Sequence, residues 1–187
     1  MKKKSLTCSL PSIQNNLFEP PQQDPPTSKF ISVYRVSLVK DKSVSFAKCT
    51  LSNSIQARPI LRKLIEEYGQ SDREQFCVVL LNAKNEIIGL NIVSTGCLIS
   101  ATVHVREVLK PAILANSAAM ILCHNHPSND PEPSQEDIAV TKNIVQAAKI
   151  MGIQVHEHLI INLDREDDRY YSFADHGLIQ SAYDAIA

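Results

Sequence analysis

Hydrophobic and polar positions along this chain switch between a period of two and a helical period, and each switch marks an element. From Phe30 to Phe46 the pattern alternates, with Ile31 and Val33 on one face and Tyr34, Val36 and Leu38 on the other. Lys40-Asp41-Lys42-Ser43 breaks the alternation with polar residues, which predicts a hairpin. Ile60, Leu61, Leu64, Ile65 and Tyr68 then recur at helical spacing, with Gly69 as the stop. The start of that helix has two readings. Pro59 is either its first residue or sits early in a helix capped by Ser52 or Ser54. Phe76 to Leu81, preceded by Glu74-Gln75, is a continuous apolar run of strand length and predicts a strand buried on both faces. Asn82-Ala83-Lys84-Asn85 turns the chain, Ile87 to Val93 returns as a second strand, and Gly96 ends it.

The second half repeats the interleaving. Val103 to Asn116 is helical in pattern (Val105, Val108, Leu109, Ala112, Ile113), with Pro111 kinking or splitting it. Ala118 to Cys123 is the next buried strand. The clearest helix follows, with Ile138, Thr141, Ile144, Val145, Ala148 and Met151 on one face and Gly152 as terminator. Val155 to Ile161 is a strand carrying His156 and His158. Asp164 to Arg169 is a charged turn, Tyr170 to Phe173 a short strand, and the end from Ala174 is weakly helical. Helices alternating with strands, one hairpin among them and no internal repeat predict an α/β fold, a mixed sheet covered by helices.

Composition changes this picture at one end only. Residues 1–29 hold Pro11, Pro20, Pro21, Pro25 and Pro26 among Gln, Asn and Ser, too little apolar surface to offset ordering entropy, which predicts a disordered arm. The rest, residues 30–187, is one domain. At 187 residues, with 44% hydrophobic and 21% charged, the chain has the means for a real core. The formal net charge of -1 predicts affinity for neither nucleic acid nor an anionic membrane. The five cysteines are scattered, with no CxxC, and Cys77 and Cys123 lie in apolar runs, a pattern of a reducing compartment. Met1-Lys2-Lys3-Lys4 has the charge of a signal peptide's first segment, but no apolar segment of sufficient length follows and no run reaches transmembrane length. The expectation is a cytoplasmic protein.

The candidate chemistry lies in Ala118 to Asp137. The apolar run ends in His124-Asn125-His126-Pro127, a loop with further prolines follows, and Ser134-Gln135-Glu136-Asp137 opens the next helix. In an extended segment residues i and i+2 point to the same side, so His124 and His126 can aim at one point, with Asp137 returned as a third donor by a stiff loop. Two imidazoles and a carboxylate leave a zinc ion one open position, the layout of a catalytic site. Iron, nickel and manganese accept similar donors. Ser134 and Asp137 also fit a capping box, with Ser134 as N-cap, and the two uses of Asp137 partly conflict. A water activated by a metal needs a proton acceptor, and Glu74, Glu107, Glu132, Glu136 and Glu157 compete for that part, with nothing in the spacing to choose among them. Zinc nucleobase deaminases need His-x-Glu and a later Pro-Cys-x-x-Cys, which this chain lacks. The letters His-Asn-His also name a nuclease class, which is defined by residues spread over a different fold.

His124-Asn125-His126-Pro127-Ser128 with Pro133-Ser134-Gln135-Glu136-Asp137 resembles the JAMM (MPN+) metalloprotease signature, His-x-His-Pro, a fixed gap, then Ser-x-x-Asp. More narrowly the chain is similar to the RadC-like JAB branch. Glu74-Gln75-Phe76 to Asn82, Val103-His104-Val105-Arg106-Glu107 to Ala112, His158-Leu159-Ile160-Ile161 and Tyr170-Tyr171-Ser172-Phe173-Ala174 carry the resemblance over about residues 50–180. It implies a three-layer α/β sandwich of the cytidine-deaminase-like (JAB/MPN) type. It implies one zinc ion held by His124, His126 and Asp137, Glu74 as the group that deprotonates the zinc water, and Ser134 as a donor to the oxyanion. The implied activity is that of a metallopeptidase or isopeptidase on a protein or peptide substrate. The alternative is a DNA-repair-associated accessory protein or nuclease in which the metal is structural. The complete donor set and Glu74 argue against that alternative, as does the near-neutral charge. Nothing from Met1 to Phe46 resembles the helix-hairpin-helix module of the longer RadC proteins, so the expectation is the short form. Three positions depart from the family: Asn129 stands where a glycine is usual, Val105 for a proline and Glu157 for an aspartate. Asn tolerates positive φ, so the loop turn is expected to survive. His156 and His158 are expected to support ligands or structure and not to bind metal themselves.

Overall fold

The computed structural model describes residues 35–41, 43, 50–51, 53–68, 73–96, 103–164 and 167–185. The expected N-terminal arm, both ends of the expected hairpin (residues 30–34 and 44–46) with Lys42, Ser52 and Gly69 lie outside the described residues. Within them a five-stranded mixed sheet has the order β2-β1-β3-β4-β5. Its strands are β1 (Gln75–Leu81), β2 (Ile87–Thr95), β3 (Ala119–Asn125), β4 (Gln154–Ile161) and β5 (Tyr170–Ser172). The helices are α1 (Ser54–Tyr68), α2 (Val105–Leu114), α3 (Gln135–Ile150) and α4 (Leu178–Asp184). β3 and β4 run parallel, joined through α3, and every other neighbouring pair is antiparallel.

The continuous apolar runs of β1 and β3 are explained by their central place, since every residue of both strands is buried. Alternate residues serve two cores. Phe76, Val78, Leu80, Met120, Leu122 and Ile160 pack with α2, α3 and α4. Cys77, Val79, Leu81, Ala119, Ile121, Cys123, Leu159 and Ile161 pack with α1. The result is the expected three-layer sandwich, with one helix on one face and three on the other.

Local chemistry sets the element ends. Asn53, between the two serines considered for the cap, is the N-cap of α1, its Oδ1 accepting from Gln56 N at 2.9 Å. Ser54 instead donates from Oγ to Asp175 Oδ2 at 2.9 Å. Pro59 lies inside α1 and removes one backbone bond without ending the helix. Pro111 likewise lies within an uninterrupted α2, so it does not split the helix. α3 ends in a Schellman motif, with Gly152 at φ 71°, Gly152 N on Lys149 O and Ile153 N on Ala148 O. Met151, expected on the buried face of α3, is its exposed C-cap.

The expected hairpin is tested only in part. Residues 35–41 and 43 form no strand, and Val36, Leu38 and Val39 are exposed. Alternation makes a strand only where a neighbour takes up the backbone groups and a layer covers one face. Among the described residues this segment has neither.

Candidate metal centre

His124 is the last residue of β3 to point toward the three-helix face, two positions beyond Leu122 and in register with Phe76 of β1. Its ring is buried and stacks on Phe76, with centroids 5.8 Å apart and planes at 15°. His126 lies just past the strand. The loop then turns at Asn129, whose φ of 58° is the positive value expected of a position where glycine is usual. Asp137 stands in the first turn of α3, so strand end and helix start face one another.

Donor atoms of His124, His126 and Asp137 lie within 4.8 Å of one another. His124 Nε2 is 3.0 Å from His126 Nε2 and 3.3 Å from Asp137 Oδ1, and His126 Nε2 is 3.5 Å from Asp137 Oδ2. The other nitrogens of the rings are engaged elsewhere. His126 Nδ1 is 2.7 Å from the Asp130 carbonyl, an acceptor only, so it carries a proton and leaves Nε2 with its lone pair. His124 Nδ1 is 2.8 Å from His158 Nε2. Lone pairs and a carboxylate this close repel unless a cation lies between them, either a proton or a metal ion. The donor set therefore fits a zinc-type ion with imidazole and carboxylate ligands. With only protons to share, the hydrogen bond to Asp137 raises the His126 pKa, burial opposing it. Burial works against the Asp137 charge, but hydrogen bonds from both imidazoles and from Ser134 hold its carboxyl far below the usual carboxylate range.

The conflict between ligand and cap is resolved by the two carboxylate oxygens. Asp137 Oδ2 accepts from Ser134 N at 2.8 Å and from Ser134 Oγ at 2.6 Å, while Asp137 N donates to Ser134 Oγ at 3.1 Å. The capping box is complete, and Oδ1, the oxygen nearest His124, takes no bond from Ser134. Ser134 is at the site, but its hydroxyl proton is committed to Asp137.

Glu74 comes to the same place from fifty residues upstream. β1 pairs antiparallel with β3, Gln75 opposite Asn125 and Phe76 opposite His124, so Glu74 continues the face that carries His124 and His126. It is close enough to His126 to help raise that ring's pKa. Its backbone is clamped. Asn125 Oδ1 accepts from Gln75 N at 3.1 Å, Asn125 Nδ2 donates to Arg73 O at 2.9 Å, and Gly96 N donates to Glu74 O at 2.8 Å. The other carboxylates are placed differently. Glu107 is held by Lys110 at 2.5 Å, Glu132 and Glu136 are exposed, and Glu157 leaves the opposite face of the sheet.

His158, buried beside His124, joins the cluster, and its Nδ1 is 2.6 Å from Thr141 Oγ1. His156, two residues away, does not, and its Nε2 contacts Asn85 Oδ1 at 3.0 Å. Sequence reasoning placed Thr141 on the buried face of α3 as a core residue and gave Asn125 no part. The available signals were a hydroxyl in an otherwise apolar helix stripe and an amide between two candidate ligands.

Comparison with known proteins gives this arrangement a family. A UPF0758 protein of Moorella thermoacetica is 45% identical over 135 residues, covering 71% of this chain and 57% of the relative. One of Desulfitobacterium hafniense is 40% identical over 144 residues, covering 73% and 62%. One of Rubrobacter xylanophilus is 48% identical over 108 residues, covering 58% and 45%. The chain thus spans about half to three-fifths of the length of these relatives. A model of the RadC-like JAB domain matches residues 52–178, which include every residue of the site, and the chain belongs to that family.

Proposed function

We propose that this chain is a zinc-dependent hydrolase of the JAMM type that cleaves an amide or isopeptide bond in a protein or peptide. The observation that carries the proposal is the convergence of His124 Nε2, His126 Nε2 and Asp137 with Glu74 on the same face. Three protein donors leave a coordination position for chemistry. A zinc ion held there would polarise the scissile carbonyl and acidify a water. Glu74, fixed by the Asn125 clamp, takes the proton from the attacking water and returns it to the leaving amine. Ser134 donates to the developing oxyanion once its proton turns away from Asp137 Oδ2. Phe76 and the buried wall of β3 shield the His124 side of the site from bulk water, while His126, Asp137 and Glu74 are only partly buried and Ser134 is exposed. Among the described residues no helix is long and apolar enough to cross a membrane.

The test is zinc analysis of the purified protein beside His126→Ala. Stoichiometric zinc in the wild type and none in the variant is the expected result, and equal near-zero zinc in both removes the proposal. Glu74→Gln should keep its zinc and lose about 100- to 10,000-fold in turnover of a peptide or isopeptide library, the range for a general base.

A further inference from the structure

A chain of three hydrogen bonds runs from the backbone of α3 to the buried metal-site imidazole. Its far end is the Asp137 carbonyl, 2.5 Å from Thr141 Oγ1. Thr141 Oγ1 is 2.6 Å from His158 Nδ1, and His158 Nε2 is 2.8 Å from His124 Nδ1. A carbonyl only accepts, so the single proton of the Thr141 hydroxyl goes to Asp137 O. The hydroxyl then has only lone pairs left for His158, so His158 Nδ1 carries a proton and donates. In a neutral imidazole the other nitrogen is then bare, so His158 Nε2 accepts, and the proton between the two rings belongs to His124 Nδ1. His124 Nε2 is left as the lone pair that faces His126 and Asp137. Each direction follows from the one before, and the whole is set by one peptide carbonyl that cannot reverse.

From this order we propose that Thr141 and His158 are positioning residues that fix His124 as its Nδ1-protonated form, so that Nε2 is presented ready to accept a metal. In free histidine the proton favours Nε2, the nitrogen needed for coordination here, so the chain selects against the ordinary form. The surroundings hold it in place. His158 and Thr141 are both buried, the His158 ring is stacked on Phe173 with centroids 4.5 Å apart, and the Phe76 ring meets it edge to face at 5.3 Å. Among the described residues no polar side chain other than His124 and Thr141 is within hydrogen-bond distance of the His158 ring. The carbonyl at the end of the chain belongs to Asp137, itself a donor at the site. The start of α3 thus sets the third donor directly and the first through two side chains.

The effect on zinc rests on the metal-site reading, whereas the ring forms do not. Nitrogen-15 NMR of the histidine-labelled, metal-free protein reads the form of His158 without any variant. The proposal expects Nδ1 protonated and Nε2 bare, and a protonated Nε2 overturns it. Thr141→Val keeps the shape and loses the hydroxyl. It should let His158 populate its Nε2-protonated form and weaken zinc binding by about 10- to 100-fold in chelator competition, the usual effect of losing an outer partner of a ligating histidine. Thr141→Ser should restore both. A Thr141→Val protein that melts earlier but keeps the wild-type His158 form and zinc affinity makes the hydroxyl merely structural and overturns the proposal. The His158 form decides the matter whether or not the wild type takes up zinc, and a wild type that takes up none overturns only the hydrolase reading.

Discussion

Glu157 and His158 are consecutive in β4, both buried, and they leave opposite faces of the sheet. His158 pairs with Leu122 and faces the three-helix layer, where it joins His124 and Thr141. Glu157 pairs with Ile121 and faces the α1 layer. There Oε2 accepts from Ser172 Oγ at 2.6 Å, and Oε1 accepts from His158 N at 2.8 Å and Ala174 N at 3.0 Å. One face spends its buried polar groups on orienting donors toward an open position. The other uses them to hold β5 and the turn before α4, with every bond closed on itself. The same contrast holds one strand over, where Cys123 and Cys77 face each other in register on the α1 side of the residues that carry the site. Burial pushes the Cys77 thiol up to about 12, and burial chiefly raises Cys123 as well, so both act as small apolar groups. A buried polar group is thus no sign of function by itself; what separates the two faces is whether the donors converge on one point.

The contrast can be broken most sharply at Asp137. Asp137→Ala should abolish zinc uptake, an effect larger than the 10- to 100-fold loss from an outer partner, while the lost cap costs the fold only about 1 kcal/mol. Zinc titration beside a denaturant midpoint separates the two effects. Asn125→Ala tests the join between strands. It frees the buried Gln75 N–H and the more exposed Arg73 carbonyl and should cost about 1–3 kcal/mol, with zinc kept and turnover reduced because the Glu74 backbone is loosened. Unchanged turnover would disconnect Asn125 from Glu74. Cys123→Ala should lower stability by about 1 kcal/mol through a small cavity and leave zinc affinity as it is. A change in zinc affinity would show that the faces are coupled.

The smallest effect is expected at Glu157. Burial raises its pKa, opposed by the bonds from Ser172, Ala174 and His158. The folded state therefore holds this proton more tightly than the unfolded chain, and stability falls as pH rises from about 4.3, the ordinary glutamate value, up to the folded pKa. Glu157→Gln should flatten that limb of the stability–pH curve and shift stability at pH 7 by less than about 1 kcal/mol, because the amide oxygen keeps the two backbone bonds. An unchanged limb would assign the pH dependence to other groups.

Much of the fold was legible because apolar period and turn chemistry are local. The runs Phe76 to Leu81 and Ala118 to Cys123 read as strands buried on both faces, and they are the centre of the sheet. Gly152 read as a helix stop and is one. The segment around Val36 to Val39 shows the limit, since its alternation was as regular but found no strand among the described residues. At the site, the spacing of His124, His126 and Asp137 suggested one centre. Spacing did not resolve the competition among five glutamates, which the family resemblance alone assigned to Glu74, because it depends on the register of β1 against β3 and on which face each strand residue leaves.

By itself, then, the sequence determined the elements, their two-sided burial and the grouping of two imidazoles with a carboxylate, all of which follow from side-chain period and short-range geometry. Spacing left five glutamates open and the family resemblance pointed to Glu74; the tertiary structure supplied the register that puts Glu74 and not Glu157 on the face of the site, and it alone decided that Asp137 divides its oxygens between cap and centre and that Thr141 and His158 reach His124. These depend on strand pairing and on hydrogen bonds whose directions are fixed only when residues distant in the chain are brought within 3 Å of one another.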